Sequence, residues 1–287
     1  MGRPIALDLS GRQISMLAEM RARGRSKMLQ SHTNHKGRGM AQQVVKLHRL
    51  KLSFAKLRSL PPEELYAFAL AGHVFNELMM LQKMVLTSAP PQDSHPFVQD
   101  AGVGKTVFVL RLLVGKTEEA MKSLSKKAVI DILKAKFFAP KDGLTERWDA
   151  AVLRYAGMPW LNTIRNQRAF HYMTQGQWQP HFTDELLDDA YVIVGATHGN
   201  TFFHWNEMAA ALPLLKLVDA DDPLVMGLSR MLEETAELLS DLGTCLAEGM
   251  QHYMRDVLTG DSALGPEESI AAVSLKEVVT PYFHAKD

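Results

Sequence analysis

Apolar side chains recur at every third or fourth position over much of this chain, which is the spacing of one face of an α-helix. The first such run follows Pro61-Pro62-Glu63-Glu64, where proline and acidic residues suit the first turn of a helix. We predict a helix from there to about Ser88, ended by Ala89-Pro90-Pro91. Its apolar stripe is Leu65, Phe68, Ala69, Phe75, Leu78 and Met79.

Three further regions have the same helical periodicity. We predict a helix over about 105–137 with a break near Gly115, one over 145–172 with a kink at Pro159, and one from Pro223 to about Leu258. Residues 173–205 lack this pattern, and their segments 191–194 and 201–205 are typical of a β-hairpin. The predicted fold class is all-α, an antiparallel bundle of four to five helices with a small β-hairpin inserted at about 173–205.

The composition of the 287 residues is 46% hydrophobic, which is enough for a sizeable core, and it includes one cysteine, Cys245. A single cysteine cannot form an internal disulfide, which fits a reducing compartment. No stretch approaches the roughly 18 apolar residues of a membrane span, and a secretory signal is lacking. We therefore expect a cytoplasmic protein with no membrane contact, in which Cys245 is an inert packed thiol.

The formal net charge is zero, but the charges are unevenly distributed. Residues 1–60 hold 13 Lys/Arg and 2 Asp/Glu, whereas residues 61–287 hold 19 Lys/Arg and 30 Asp/Glu. We predict a basic, partly disordered N-terminal arm over 1–60 and a helical-bundle domain over 61–287. Such an arm could bind nucleic acid or fold back onto the acidic body, and residues 41–60 fit a helix or a strand.

Ala101-Gly102-Val103-Gly104-Lys105-Thr106 looks like the end of a phosphate-binding P-loop. The full motif requires a glycine five residues before Gly104, where this chain has Gln99, and it requires a preceding buried strand. The residues before it, Ser94-His95-Pro96-Phe97, have the composition of a loop. We therefore interpret the glycines as marking a helix start and expect no nucleotide cofactor.

The strongest chemical signal is the stretch Leu161–Tyr172, in which Arg165 and Asn166 are followed by His171. An arginine, a polar residue and a histidine at this spacing, late in a helical bundle, resemble the signature of HEPN domains. Many members of that family are metal-independent endoribonucleases. The resemblance covers about residues 62–258 in architecture and three residues in detail. It implies RNA as substrate, a homodimer with facing motifs, a toxin or defence role, and an antitoxin or nucleotidyltransferase as a further partner.

The three residues of the motif suit RNA cleavage by attack of a 2′-hydroxyl on the adjacent phosphate. Histidine titrates near neutral pH, so His171 can act as general acid or base. Arg165 stays charged and can stabilise the transition-state phosphate, and Asn166 can orient the imidazole. One histidine supplies one proton-transfer group, and the resemblance implies that a second chain supplies the other. No metal or cofactor is needed, and the product is a 2′,3′-cyclic phosphate.

A structural role for the motif and two other functions stay open. On a continuous helix, His171 would share a buried stripe with Trp160 and Ile164 and be a satisfied core histidine, with Arg165 about 120° away. The chain could then be a non-catalytic module that binds RNA or a protein. A metal-dependent hydrolase is the third alternative. Its ligands would be His73, Glu77, His198, His204 and Glu207.

Two further sequence features have both a functional and a structural interpretation. Glu77 could support the Arg-His motif from the first helix, or it could form a buried pair with His73. The aromatic residues Trp178, Phe202, Phe203 and Trp205 could stack on RNA bases. We favour the interpretation that these aromatic residues anchor the inserted hairpin to the body.

Overall fold

The computed structural model describes residues 42–91, 94–182, 186–187, 190–259, 267–273 and 278–284. Residues 1–41 of the predicted N-terminal arm lie outside these residues. The described part of the chain is mostly helical, as predicted, with a small antiparallel sheet. Its α-helices are α1 (Phe54–Ser59), α2 (Pro62–Ser88), α3 (Pro96–Leu124), α4 (Lys127–Ile132), α5 (Leu144–Ala156), α6 (Trp160–Ile164), α7 (Gln175–Trp178), α8 (His204–Leu215) and α9 (Leu228–Tyr253).

Shorter elements extend or connect these helices. Several helices continue into turns of π-helix, in which the hydrogen bonds span one more residue than in an α-helix. The π-helical segments are Leu133–Phe138, Arg165–Ala169, Pro223–Gly227 and Met254–Thr259, and the 3₁₀ segments are Gln179–His181 and His198–Asn200. The strands are β1 (Gln42–His48) and β2 (Glu267–Val273).

Helix α2 has the predicted boundaries. It begins at Pro62, has Glu63 and Glu64 in its first turn, and ends at Ser88, where Ala89 turns to extended backbone before Pro90. Proline suits the first turn because its missing N–H would be unsatisfied there in any case. The prolines that follow Ala89 cannot continue the helix.

Helix α3 differs from the prediction at both its start and its interior. It begins at Pro96 and passes without a break through Gly102, Gly104 and Gly115. The predicted start near Lys105 and the predicted break at Gly115 are therefore wrong, and no phosphate-binding loop is formed. These glycines lie where another segment approaches the helix closely. A Cβ atom would lie 2.5 Å from Pro90 at residue 102 and 2.6 Å from Phe202 at residue 104.

The later helical regions are close to the predicted ones. Helix α5 begins after Gly143, whose φ of 81° lies in the left-handed region that favours glycine. The chain restarts as α6 directly after Pro159, as predicted. The last region runs from Pro223 to Thr259 through α9.

The sheet lies elsewhere than the predicted hairpin. β1 pairs antiparallel with β2, from Gln42 opposite Val273 to His48 opposite Glu267. Within 191–205, by contrast, the pairing is one isolated bridge, in which Ile193 and Phe202 exchange two hydrogen bonds of 2.8 Å. The second predicted strand stays short because α8 begins at His204.

The β1–β2 pair also joins basic and acidic parts of the chain. Lys46 forms an ion pair with Glu267 at 2.9 Å, and Arg49 lies 4.0 Å from Glu268. Both lysine and arginine side chains are exposed, so each pair contributes little to stability. This end of the predicted basic arm therefore contacts acidic residues of its own chain.

The main hydrophobic core lies between α2, α3, α5 and α9. At one end the Phe137 ring stacks on Tyr253 with centroids 4.2 Å apart, and the Tyr253 hydroxyl donates to Glu64 at 2.5 Å. Cys245 is fully buried in α9, and burial raises the pKa of its thiol to about 12. Among the described residues, no helix has the length and apolar character required to cross a membrane.

Segment 278–284 packs against the helical body. The Thr280 N–H donates to the Thr87 carbonyl at 2.9 Å. Asn200 and His284 exchange two hydrogen bonds, of 2.7 Å from the Asn200 amide and 2.9 Å to its carbonyl oxygen. The Tyr282 ring contacts Phe202 edge-on, with centroids 5.0 Å apart. These contacts fix the segment beside the Ile193–Phe202 bridge.

Candidate functional site

The Arg-Asn…His segment lies at the end of a helix. α6 passes directly into the π-helix Arg165–Ala169, which ends at Phe170 with φ −124° and ψ 5°. His171 therefore follows the helix. The interpretation that places His171 on one buried stripe with Trp160 and Ile164 is wrong, because the wider π turn and the helix end change the angular spacing. Both of those residues are buried, whereas His171 is exposed.

Arg165 is already paired within the chain. Its Nε and Nη2 atoms both contact Oε1 of Glu119, which lies on α3. Its Nη1 atom donates to Oδ1 of Asn166 at 2.7 Å. The Arg165 side chain is 39% exposed, so two N–H donors of its guanidinium group remain for another acceptor.

Asn166 continues this set of hydrogen bonds along the surface of α6. Its Nδ2 donates to Oδ1 of Asn162 at 2.9 Å, and the same oxygen accepts from Lys122 Nζ at 2.8 Å. Lys122 Nζ also lies 2.9 Å from Oε1 of Glu118. We call this set the polar chain; its members are Glu119, Arg165, Asn166, Asn162, Lys122 and Glu118.

The polar chain ends at a buried acidic residue. The Glu118 side chain is 1% exposed, and Tyr155 of α5 lies against it. Burial, and next the neighbouring Glu118 carboxyl group, raise the pKa of Tyr155 to about 12. The phenol therefore stays protonated beside Glu118 at neutral pH. The polar chain links α3 with α6 and the π-helix that follows α6, and its end at Glu118 lies against α5.

His171 is separate from the polar chain. Over the described ranges, no hydrogen bond or ion pair connects His171 with Arg165 or Asn166. Its neighbour Tyr172 is fully exposed, and Phe170 is half exposed. The structure thus joins Arg165 and Asn166 by a hydrogen bond and leaves His171 exposed on the segment that follows them.

The motif segment is held against α3 at Gly115. A Cβ atom at residue 115 would lie 2.6 Å from Cβ of Ala169 and 3.1 Å from the Phe170 ring. Only a residue without a side chain permits this approach. Gly115 is therefore part of the site's support, although its sequence pattern suggests a helix break.

Glu77 lies away from the motif, at the boundary of α2 and α3. Both of its carboxyl oxygens accept from Lys116 Nζ, at 3.1 and 3.3 Å, and His73 Nε2 lies 3.7 Å away. His204 of the metal alternative instead stacks on Tyr191 at 4.3 Å. Within the part of the chain that the structure describes, no three His, Cys, Asp or Glu side chains are grouped as metal ligands.

The aromatic residues of region 173–205 mostly contact one another. Trp178 contacts Phe182, and Phe182 stacks on Trp205 with centroids 5.5 Å apart. Phe202 is buried against Ala101 and Tyr282, whereas Phe203 is exposed. Phe202 and the stacked rings therefore fit the interpretation that these aromatic residues anchor region 173–205 to the body better than the interpretation that they stack on RNA bases.

Arg168 is a further charged residue of the motif segment, outside the three predicted site residues. It lies on the π-helix between Arg165 and His171, and its Nε and Nη1 atoms are buried with no acceptor among the described residues. Burial lowers the pKa of its guanidinium group. The sequence signal for this burial is helical spacing, because Arg168 comes four residues after Ile164 of the apolar stripe.

Comparison of the chain with protein-family models, with curated proteins and with solved structures finds no match.

Proposed function

We propose that this chain is a metal-independent endoribonuclease of the HEPN type, with an antiparallel helical bundle as its body. The observation that carries the proposal is the hydrogen-bonded pair Arg165–Asn166 on a helix surface, with the exposed His171 following on the same segment. Metal-free cleavage of RNA requires a group that transfers protons and a group that stabilises the negative charge of the transition state. The exposed imidazole and the guanidinium group on the same segment supply one of each.

In the proposed mechanism, Arg165 binds the scissile phosphate through the two N–H donors that Glu119 and Asn166 leave unused. Glu119 holds the guanidinium plane in place, so that less side-chain entropy is lost when phosphate binds. His171 takes the proton of the 2′-hydroxyl or returns one to the leaving 5′-oxygen. The products are a 2′,3′-cyclic phosphate and a 5′-hydroxyl.

We propose a homodimer because the reaction needs two proton-transfer groups and the motif contains one histidine. A second copy of the chain would contribute its own His171 to a shared cleft. The exposed rings of Phe170 and Tyr172 adjoin the motif, and exposed apolar surface of this kind is commonly covered by a partner. A cytoplasmic toxin or defence role, with an antitoxin or nucleotidyltransferase partner, belongs to the same proposal.

The test is cleavage of total cellular RNA in excess EDTA by the wild type, His171→Ala and Arg165→Ala, after circular dichroism shows that all are folded. We expect a loss of about 100-fold or more for His171→Ala, the usual scale for a general acid or base. The matched control is His198→Ala, since His198 is also exposed and is a ligand of the metal alternative.

The outcomes separate the proposal from its rivals. Cleavage that survives EDTA and His198→Ala but not His171→Ala supports the ribonuclease. Equal rates in the wild type and His171→Ala contradict it. Cleavage that EDTA abolishes points to the metal-dependent hydrolase.

A non-catalytic module that binds RNA or a protein is the second candidate. The observation that favours it is the polar chain, which pairs Arg165 with Glu119 and Asn166 with Asn162 and has no contact with His171. Such a module would bind RNA with an affinity that falls steeply with salt and would never cut it. Filter binding at several salt concentrations, on the samples used for cleavage, distinguishes the two.

A further inference from the structure

A cavity of about 540 Å³ opens beside α8. This volume lies within the range of roughly 300–1,000 Å³ that is usual for small-molecule sites. One part of its wall is apolar and can receive a flat or aliphatic group. The residues of this apolar wall are Leu186, Met208, Leu212, Pro223 and Leu224.

One charged donor in the wall of the cavity lacks an acceptor. The Lys216 side chain forms no hydrogen bond or ion pair within the described ranges, although Asp221 and Asp222 line the same cavity. An ammonium group without a partner can bind a ligand oxyanion through charge-assisted hydrogen bonds. Trp205 also lines the cavity, but its Nε1 atom is buried and does not face it.

Two further basic side chains lie near Lys216 but do not line the cavity. His181 is on the 3₁₀ segment that packs on α8. Burial, and then the charges of Lys216 and Arg168, lower the pKa of His181, so its imidazole is neutral at neutral pH. Two nitrogen atoms of Arg168 are buried without acceptors among the described residues. The positive charge among the described lining residues is therefore that of Lys216.

We propose that this cavity binds a small metabolite that has an oxyanion and hydrogen-bond donors on an apolar body. Lys216 holds the oxyanion. Asp221 and Asp222 accept from the donors of the ligand, and the apolar wall receives its body. His171 is not part of the cavity, so this site is independent of RNA cleavage.

Phosphates and carboxylates both supply an oxyanion that Lys216 could bind, so the probes include one ligand of each kind. AMP has a phosphate, ribose hydroxyl donors and a flat base, and adenosine is its analogue without the oxyanion. L-phenylalanine has a carboxylate, an ammonium donor and an apolar ring, and 2-phenylethylamine lacks the carboxylate. Inorganic phosphate alone tests whether the apolar body is needed.

The experiment is isothermal titration calorimetry of the full chain with each probe. We expect saturable binding of AMP or L-phenylalanine, with the matching oxyanion-free analogue at least tenfold weaker. Lys216→Met should weaken binding about tenfold or more. The control is Lys127→Met, an exposed lysine paired with Asp131, which should change the affinity less than twofold.

Three results would overturn the proposal: no saturable binding of AMP or of L-phenylalanine, equal affinity for the analogues, or equal affinity of Lys216→Met and Lys127→Met. Circular dichroism of each variant excludes loss of the fold as the cause of weaker binding. His171→Ala should bind the probe as the wild type does. If the chain binds the probe but does not cut RNA, the metabolite site is supported and the ribonuclease is contradicted. If the chain cuts RNA but does not bind the probe, the ribonuclease is supported and the metabolite site is contradicted.

Discussion

Gly115 is the point at which α3 contacts the segment that includes Arg165 and Asn166, and its replacement by alanine tests that contact. The new Cβ atom would lie 2.6 Å from Cβ of Ala169 and 3.1 to 3.2 Å from the Phe170 ring. The half-exposed Phe170 ring can rotate away. The Cβ of Ala169 moves only with its backbone, so Gly115→Ala must push the π-helix Arg165–Ala169 away from α3.

The expected cost follows from two opposing terms. Gly→Ala inside a helix stabilises a protein by about 1 kcal/mol through backbone entropy and helix propensity. Overpacking of a filled contact costs about 1–3 kcal/mol. We therefore expect Gly115→Ala to lower the free energy of unfolding by about 0–2 kcal/mol.

Gly72 is a matched control for the same substitution. It also lies inside a long helix, α2, but a Cβ atom there would meet only Met250 Sδ at 3.7 Å, an ordinary van der Waals contact. Gly72→Ala should stabilise the protein by up to about 1 kcal/mol. The two variants should thus differ by about 1–3 kcal/mol, since only the steric neighbours differ.

Urea unfolding followed by helical circular dichroism measures this difference. In the double variant Gly115→Ala/Ala169→Gly the clash is absent, so the combined loss of stability should be smaller than the sum of the single losses. The reasoning is refuted if Gly115→Ala is as stable as Gly72→Ala, because the π-helix would then not be packed on α3 at this point.

Three further predictions concern alkaline pH, thiol reactivity and segment 278–284. Burial, and then the neighbouring carboxyl groups of Glu118 and Glu64, raise the pKa of Tyr155 to about 12 and that of Tyr253 further. The two protonated tyrosines therefore stabilise the folded protein below about pH 10, the pKa of tyrosine in the unfolded chain, and this stabilisation is lost as the pH rises toward 12. Urea midpoints that stay constant from pH 9 to 11.5 would contradict this prediction. Cys245 should react with a thiol reagent only after unfolding, and rapid reaction of the native protein would show that the thiol is accessible. Asn200→Ala removes both hydrogen bonds to His284, so chymotrypsin should cut segment 278–284 several times faster, whereas an unchanged rate would mean that other contacts hold it.

The sequence predicts the helices well where proline marks their ends and poorly where glycine is the only marker. Pro62 and Pro90 bracket α2 in both the prediction and the structure. Gly102 and Gly115, in contrast, lie inside α3, where Pro90 and Ala169 approach too closely for a side chain. A local pattern cannot distinguish a glycine that ends a helix from one that receives a neighbouring segment, because the neighbour is distant in sequence.

The strands show the same dependence on distant residues. β1 and β2 come from opposite ends of the described chain, so no local turn signal joins them. Alternation in Leu50, Leu52 and Phe54 suggests a strand just after the real one, and those residues lead into α1 instead. The predicted hairpin is reduced to the Ile193–Phe202 bridge because the helix propensity of the residues after His204 extends α8 toward it.

At the candidate site, the sequence indicates which residue types are present but not how they are paired. Arg165 and Asn166 are neighbours in the chain, so their hydrogen bond requires no long-range information. The partner of Arg165, Glu119, comes from α3, and the position of His171 depends on a π turn that periodicity of an α-helix does not describe. Lys216 likewise acquires its significance only from the cavity that it lines.

The pairing of Arg165 with Glu119 is compatible with both a catalytic and a structural role of Arg165. A partly exposed ion pair is worth about 0.2–1 kcal/mol, whereas hydrogen bonds to a charged group contribute about 1.5–3 kcal/mol. An RNA phosphate can therefore share or replace Glu119 at small cost, and the pair keeps the guanidinium group in position until then. The polar chain explains the positions of Arg165 and Asn166 without any substrate, but it leaves His171 unexplained. The exposed histidine is thus the residue on which the ribonuclease proposal depends.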